Sequence, residues 1–109
     1  MIYFDNAAST AVHPEVVKEM TPYFDTQYGN PSSIHQFGRK AKNAIEKARK
    51  QVAALIGAEP NEILFTSGGT ESNNTILYGI PKSQGPKFVL NHIITSAIEH
   101  EAILEPCRD

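Results

Sequence analysis

Residues 62–74 read Glu-Ile-Leu-Phe-Thr-Ser-Gly-Gly-Thr-Glu-Ser-Asn-Asn, and this stretch decides the fold. The apolar run Ile63–Phe65 predicts a strand, Gly68-Gly69 predicts a tight turn, and the polar residues after it predict the start of a helix that is established by Thr75. The first turn of a helix has N–H groups without an intrahelical partner, at the positive end of the helix dipole. The glycine turn therefore predicts an anion site.

The anion is best interpreted as a single phosphate monoester. A P-loop would require Gly-Lys-Ser/Thr, whereas Thr70-Glu71 follows the glycines here. Adjacent glycines do not match the dinucleotide fingerprint Gly-x-Gly-x-x-Gly either. The alternative interpretation is an ordinary strand-to-helix turn with Thr70 as the N-cap.

The composition is typical of a globular protein in solution. Of 109 residues, 40% are hydrophobic and 20% are charged, and the net charge is −2. This balance favours neither nucleic acid nor an anionic membrane as a partner, and no apolar run is long enough to predict a membrane span. The single cysteine, Cys107, cannot form an internal disulfide. We expect a cytoplasmic protein.

Two helices are predicted before the glycine turn. The first begins at Pro14 and stops before Gly29-Asn30-Pro31, because the residue before a proline avoids the helical region. The second follows the candidate caps Ser32-Ser33 and ends at Gly57. Its apolar face consists of Phe37, Ala41, Ala44, Ile45, Ala48, Val52, Leu55 and Ile56.

Further strands complete an α/β pattern. Residues 2–4 predict a short strand, residues 79–87 a loop, and residues 88–95 a buried strand that leads into a helix over residues 96–104. A strand, a helix and a second strand in this order imply a right-handed parallel crossover. Because so few parallel strands cannot cover both faces of a sheet, we expect the first part of a larger α/β protein.

Four motifs in this order resemble the cysteine desulfurases of the NifS/IscS type, which are pyridoxal-phosphate (PLP) enzymes of the class V aminotransferase group. The motifs are Tyr-Phe-Asp-Asn-Ala-Ala-Ser-Thr (3–10), Tyr-Gly-Asn-Pro-Ser-Ser (28–33), Phe-Thr-Ser-Gly-Gly-Thr-Glu-Ser-Asn (65–73) and Ile-Thr-Ser-Ala-Ile-Glu-His (94–100). The resemblance covers the N-terminal portion of such enzymes. It implies an incomplete fold-type-I PLP transferase built from parallel-sheet βαβ units. Residues 1–15 would belong to the small domain of the full enzyme, and residues 16–109 to the truncated large PLP-binding domain.

The resemblance also implies site residues. Gly69 and Thr70 correspond to the residues that bind the PLP phosphate through backbone amides and the threonine hydroxyl. His100 corresponds to the histidine that stacks on the pyridine ring and takes part in proton transfer, a role that suits an imidazole. Without the resemblance, His100 would be interpreted as a surface histidine. No metal site is expected, because no two histidines have the spacing of a zinc motif.

The implied activity is the conversion of L-cysteine to L-alanine with formation of an enzyme persulfide, which supplies sulfur for iron-sulfur clusters. The resemblance further implies a homodimer and a sulfur-acceptor protein as partner. In such enzymes the cofactor-binding lysine and the nucleophilic cysteine lie further along the chain, and Cys107 is interpreted as an incidental thiol. We therefore expect these 109 residues alone to be inactive.

Three alternatives stay open. A selenocysteine lyase or another class V aminotransferase would share the phosphate turn and the histidine. A non-enzymatic short protein could pair with a full-length desulfurase. A truncated gene would have no independent role.

Overall fold

A computed structural model describes residues 2–83 and 92–108 of the chain. The described part contains four α-helices, α1 (Pro14–Phe24), α2 (Gln36–Ile56), α3 (Gly69–Ser83) and α4 (Glu101–Arg108), and a 3₁₀ turn at Pro60–Glu62. The chain divides into two units, of which the first ends at Ile63 and the second begins at Leu64. Within the described ranges, no helix combines the length and the apolar character needed to cross a bilayer.

Helix α1 lies where the sequence predicts it. Pro14 occupies the first turn, where its missing N–H costs no hydrogen bond. The side chain of His13 caps the helix, with Nδ1 accepting a hydrogen bond from the Glu15 N–H at 3.3 Å. The helix ends at Phe24, before the predicted stop.

Helix α2 begins later than its predicted caps. Ser32 and Ser33 belong to a separate turn, because their amides donate to the side chain and the carbonyl of Asn30 at 2.9 and 3.0 Å. The observed N-cap is His35, whose Nδ1 accepts from the Gly38 N–H at 3.4 Å. The prediction that Ser32-Ser33 caps this helix is therefore wrong.

The end of α2 confirms the prediction at Gly57. This residue adopts the left-handed conformation (φ 70°, ψ 29°), and its N–H donates to the Ala53 carbonyl. A residue with a side chain rarely adopts this conformation, which explains the glycine. After the 3₁₀ turn, the Arg49 guanidinium on α2 donates a hydrogen bond to the Ile63 carbonyl. This bond ties the segment after the turn to α2.

Helix α3 is longer than predicted at both ends. It begins at Gly69, because Glu71 and Ser72 hydrogen bond within the preceding turn and hold the polar segment in helical geometry. It continues to Ser83, so the loop predicted over residues 79–87 is wrong for residues 79–83. Gly79 and Pro81 disfavour a helix by composition, but propensity is a weak signal. Residues 84–87 lie outside the described part of the chain.

Helix α4 is displaced from the predicted helix over residues 96–104. It spans Glu101–Arg108, and residues 97–98 form a turn before it. Helices α3 and α4 pack against each other within the second unit. The packed pair provides the frame for the predicted site residues.

No β-strand is present in the described part of the chain. Residues 2–4 are exposed and irregular, so the strand predicted there does not form. Ile63 has the extended backbone of a strand (φ −97°, ψ 122°), but residues 63–65 are assigned to no sheet. Of the strand predicted at 88–95, residues 88–91 lie outside the described residues and 92–95 are irregular. The parallel sheet stays a prediction, as do the domain limits at residues 15 and 16.

Few apolar side chains are buried. In the described chain the buried hydrophobic residues are Ala41 and Ala53, both on α2. On the predicted apolar face of the same helix, Leu55 is 85% exposed and Ile56 is 65% exposed. Extensive exposed apolar surface marks an interaction surface in proteins. The α2 face therefore fits the expectation that these residues are part of a larger α/β fold.

Candidate functional site

The glycine turn is closed by hydroxyl groups on both sides of it. The Oγ1 of Thr66 and the Oγ of Ser72 lie 2.7 Å apart, and both lie within hydrogen-bonding distance of the Gly68 carbonyl oxygen. The Ser72 N–H also donates to this carbonyl at 3.1 Å, which makes Gly68 the N-cap of α3. These contacts fix the path of the backbone into the helix.

A second contact joins Glu71 to the residue before the glycine pair. Its Oε2 accepts hydrogen bonds from the Ser67 N–H at 2.6 Å and from the Ser67 hydroxyl at 2.7 Å. The hydroxyl bond, followed by the amide bond, lowers the pKa of the Glu71 carboxyl from its ordinary value of 4.5. Glu71 is therefore ionised at neutral pH, with its charge directed to two donors.

The start of α3 retains hydrogen-bond donors. Within the described residues, no acceptor binds the backbone N–H of Gly69, the backbone N–H of Thr70 or the Thr70 hydroxyl. These donors lie in the first turn of a 15-residue helix, whose dipole favours negative charge at this end. The set suits an anion with several acceptor oxygens.

The two glycines leave room for such an anion. A Cβ atom added to Gly68 or Gly69 would meet no atom of the described residues within 4 Å. Among the described glycines a positive φ occurs at Gly57, so neither residue of the pair requires glycine for its backbone conformation. Neither conformation nor packing in the described chain explains the glycines, and the open space admits a group that approaches the amides closely. Donors and space together fit a phosphate group.

His100 lies directly before α4 and serves as its N-cap. Its carbonyl accepts from the N–H groups of Ile103 and Leu104, and its Nδ1 accepts from the Ala102 N–H at 3.0 Å. An accepting Nδ1 carries no proton, so the ring proton in this arrangement is on Nε2. The imidazole is exposed, and no partner binds Nε2 within the described residues.

The structure brings the predicted site residues into one unit. Gly69 and Thr70 begin α3, His100 precedes α4, and these two helices are packed together. The residues that brace the turn, Thr66, Ser67, Glu71 and Ser72, are not predicted as a group from the sequence. The sequence pattern that could have identified them is a hydroxyl side chain before the glycine pair and a hydroxyl or carboxyl side chain four to six residues later.

Other candidates lie away from this turn. Cys107 is a half-buried free thiol in α4. In the described part of the chain, no group of three or more histidine, cysteine, aspartate or glutamate side chains could hold a metal ion. A groove of about 780 Å³ lies between α1 and α2. It contains none of the predicted site residues, and its apolar lining includes Val16, Met20, Tyr23, Ala44 and Ile45.

Comparisons with known proteins agree on one family. The sequence profile of the aminotransferase class-V family matches residues 2–109. Cysteine desulfurase IscS of Dictyoglomus turgidum is 51% identical over 106 residues, which are 97% of this chain and 26% of that protein. Cysteine desulfurase IscS of Rickettsia felis is 53% identical over 108 residues, which are 98% of this chain and 26% of that protein.

A solved structure of a NifS-like protein shares the fold. It matches with a TM-score of 0.88 and 43% sequence identity, over 98% of this chain and 29% of that chain. The chain therefore spans about a quarter of the length of the curated relatives that it matches.

Proposed function

We propose a function from the premise that this chain belongs to the aminotransferase class-V family and corresponds to the N-terminal portion of proteins named cysteine desulfurase IscS. The chain supplies the phosphate-binding wall of a PLP site. The enzyme of which this wall is a part converts L-cysteine to L-alanine and a protein persulfide. The observation that carries the proposal is the set of donors on Gly69 and Thr70 that bind no acceptor among the described residues and lie beside open space.

Each site residue has a physical task in this proposal. The Gly69 and Thr70 amides and the Thr70 hydroxyl bind the phosphate, and the dipole of α3 adds a favourable field. His100 uses Nε2 to hold or move a proton, since Nδ1 is engaged by the Ala102 amide. When bound, PLP supplies the electron sink for bond cleavage at the substrate amino acid.

The phosphate contacts alone do not provide tight binding. Three charge-assisted hydrogen bonds contribute roughly 1.5–3 kcal/mol each. Association costs about 4–15 kcal/mol in lost translational and rotational freedom. The two totals are similar in size, so high affinity requires further contacts to the cofactor. We therefore expect the 109 residues by themselves to bind PLP weakly and to release neither sulfide nor alanine.

The finer features of the proposal follow the family. A parallel sheet would include the extended segment at Ile63, with residues 16–109 in the large domain and residues 1–15 in the small one. The active protein would be a homodimer that passes sulfur to an acceptor protein for iron-sulfur cluster assembly. The support for these features is the sequence and fold similarity to the cysteine desulfurases.

The test compares two ligands that differ only in the phosphate. The complete gene product that contains these residues is titrated with PLP and with pyridoxal, and binding is followed by absorbance. We expect tighter binding of PLP, and we expect Thr70→Val to weaken PLP about tenfold with no change for pyridoxal, because a charge-assisted hydrogen bond is lost. Thr21→Val in α1 removes a hydroxyl that bonds within its own helix and serves as the matched control. Equal affinities of the unaltered protein for both ligands would refute the proposed site.

A further inference from the structure

We propose that Glu71 is a positioning residue for the phosphate site, which it serves by holding Ser67 and thereby fixing the direction of the Gly69 and Thr70 amides. This inference rests on the proposed function. Glu71 does not bind the phosphate in this proposal. It acts through the turn that carries the donors.

The geometry supports this role because one carboxylate oxygen bridges the whole turn. Oε2 of Glu71 binds both the amide and the hydroxyl of Ser67, four residues earlier, and the glycine pair lies between the two residues. Glycines carry no side chain that could restrict the backbone, so the Thr66 and Ser72 contacts to the Gly68 carbonyl leave some conformational freedom in the turn. The bridge removes this freedom before a ligand arrives, and preorganisation of this kind increases affinity.

A second set of hydrogen bonds holds the same turn. Thr66 and Ser72 meet through their hydroxyl groups and approach the Gly68 carbonyl. The two braces use different atoms, and both leave the Gly69 and Thr70 amides unbonded within the described residues. Loss of the Glu71 bridge should therefore loosen the donors without unfolding α3.

The negative charge of Glu71 makes the proposal testable, because a charge effect and a positioning effect would change the PLP affinity in opposite directions. Glu71 follows Thr70 directly, and a carboxylate near a phosphate is unfavourable by simple electrostatics. The pKa of Glu71 is lowered by the Ser67 hydroxyl and amide, so the charge persists at neutral pH. If Glu71 acted only through its charge, its removal would tighten PLP binding. If it positions the amides, its removal weakens PLP binding despite the relief of repulsion.

The experiment uses the complete gene product with three variants. Glu71→Ala removes the bridge and the charge, Glu71→Gln removes the charge but keeps an acceptor oxygen, and Ser67→Ala removes the hydroxyl contact alone. Glu19→Ala in α1 removes another exposed carboxylate and is the matched control. Dissociation constants are measured for PLP and for pyridoxal, and folding is checked by circular dichroism.

We expect about a tenfold loss of PLP affinity in Glu71→Ala, from the loss of charged hydrogen bonds. Smaller losses of about threefold are expected in Ser67→Ala, and Glu71→Gln is expected to remain within about threefold of the unaltered protein. Pyridoxal affinity is expected to stay constant in every variant. If Glu71→Ala does not fold, the test uses the other two variants. Weaker PLP binding in Ser67→Ala, with binding in Glu71→Gln within about threefold of the unaltered protein, then supports the positioning role.

Three outcomes overturn the inference. Glu71→Ala could bind PLP as tightly as the unaltered protein or more tightly, which would leave only a charge effect. PLP and pyridoxal could weaken together, which would show a general loss of structure. The unaltered protein could lack any preference for PLP, which refutes the proposed phosphate site itself and so is distinguishable from the other two.

Discussion

Nδ1 of His100 accepts a hydrogen bond from the backbone N–H of Ala102 at 3.0 Å, so this side chain caps α4 while Nε2 carries the ring proton. The same residue thus has a structural bond on one nitrogen and, in the proposed function, a chemical task on the other. Substitutions that preserve one and remove the other separate these roles.

The first prediction concerns His100. In His100→Asn the side-chain oxygen can still cap α4, whereas His100→Ala removes the cap and should lower the free energy of unfolding by about 0.5–2 kcal/mol. Both variants lose the imidazole, so alanine production from L-cysteine by the complete gene product should fall about 10²–10⁴-fold. Chemical denaturation and turnover are measured on the same samples. Full activity in a stable His100→Asn protein would contradict the proton-transfer role.

The second prediction concerns Gly38, a buried residue in the first turn of α2. A Cβ there would lie 2.7 Å from the Asn30 carbonyl oxygen and closer still to the Ser33 carbonyl oxygen. Gly38→Ala should therefore destabilise the protein by about 1–3 kcal/mol, although alanine is the better helix former. The measurement is the free energy of unfolding in urea.

Gly79→Ala in α3 is the matched control for Gly38→Ala. A Cβ at Gly79 meets no atom of the described part of the chain within 4 Å, so the helix preference should act alone and stabilise the protein by about 0.5–1 kcal/mol. Equal effects of the two alanines would contradict the close approach of the 30–33 turn to α2.

The third prediction concerns the pH dependence of stability through Glu71. Its pKa in the folded protein is lowered from 4.5 by the Ser67 hydroxyl and amide, so folding favours the ionised form. The contribution to stability is fully present above this ordinary value and is lost as the pH falls through the lower pKa of the folded state. Urea unfolding from about pH 7 to about pH 3 should show a shallower loss in Glu71→Gln than in the unaltered protein. If the free energy of unfolding depended on pH in the same way in both proteins, the contact between Glu71 and Ser67 would not be the cause of the pH dependence.

Local signals explain what the sequence predicts well. Helix α2 follows from its apolar spacing, and its end follows from Gly57, because a left-handed terminator is specified within one turn of the chain. The backbone N–H groups of Gly69 and Thr70, which bind no acceptor within the described residues, lie at the turn that the glycine pair predicts, and their role in binding an anion stays a prediction. These features need no knowledge of distant contacts.

The observed helix starts differ from the predicted ones where a different side chain forms the capping hydrogen bond. His35 rather than Ser32-Ser33 caps α2, because the serine amides are already bound to Asn30. Helix α3 starts at Gly69 because Glu71 and Ser72 bond back into the turn. Strand pairing depends on residues that are far apart in the chain, so periodicity at residues 2–4 could not establish it.

The scarcity of buried apolar residues has a calorimetric consequence. Ala41 and Ala53 are the buried hydrophobic residues of the described chain. Unfolding of the isolated 109 residues would therefore expose little new apolar surface. The heat-capacity change and the denaturant slope both scale with that newly exposed surface. The isolated 109 residues should therefore melt over a broad interval with a shallow urea dependence. A shallow transition is thus the expected behaviour of the folded helical residues. A helical circular dichroism spectrum below the transition would show that the helices are formed before unfolding.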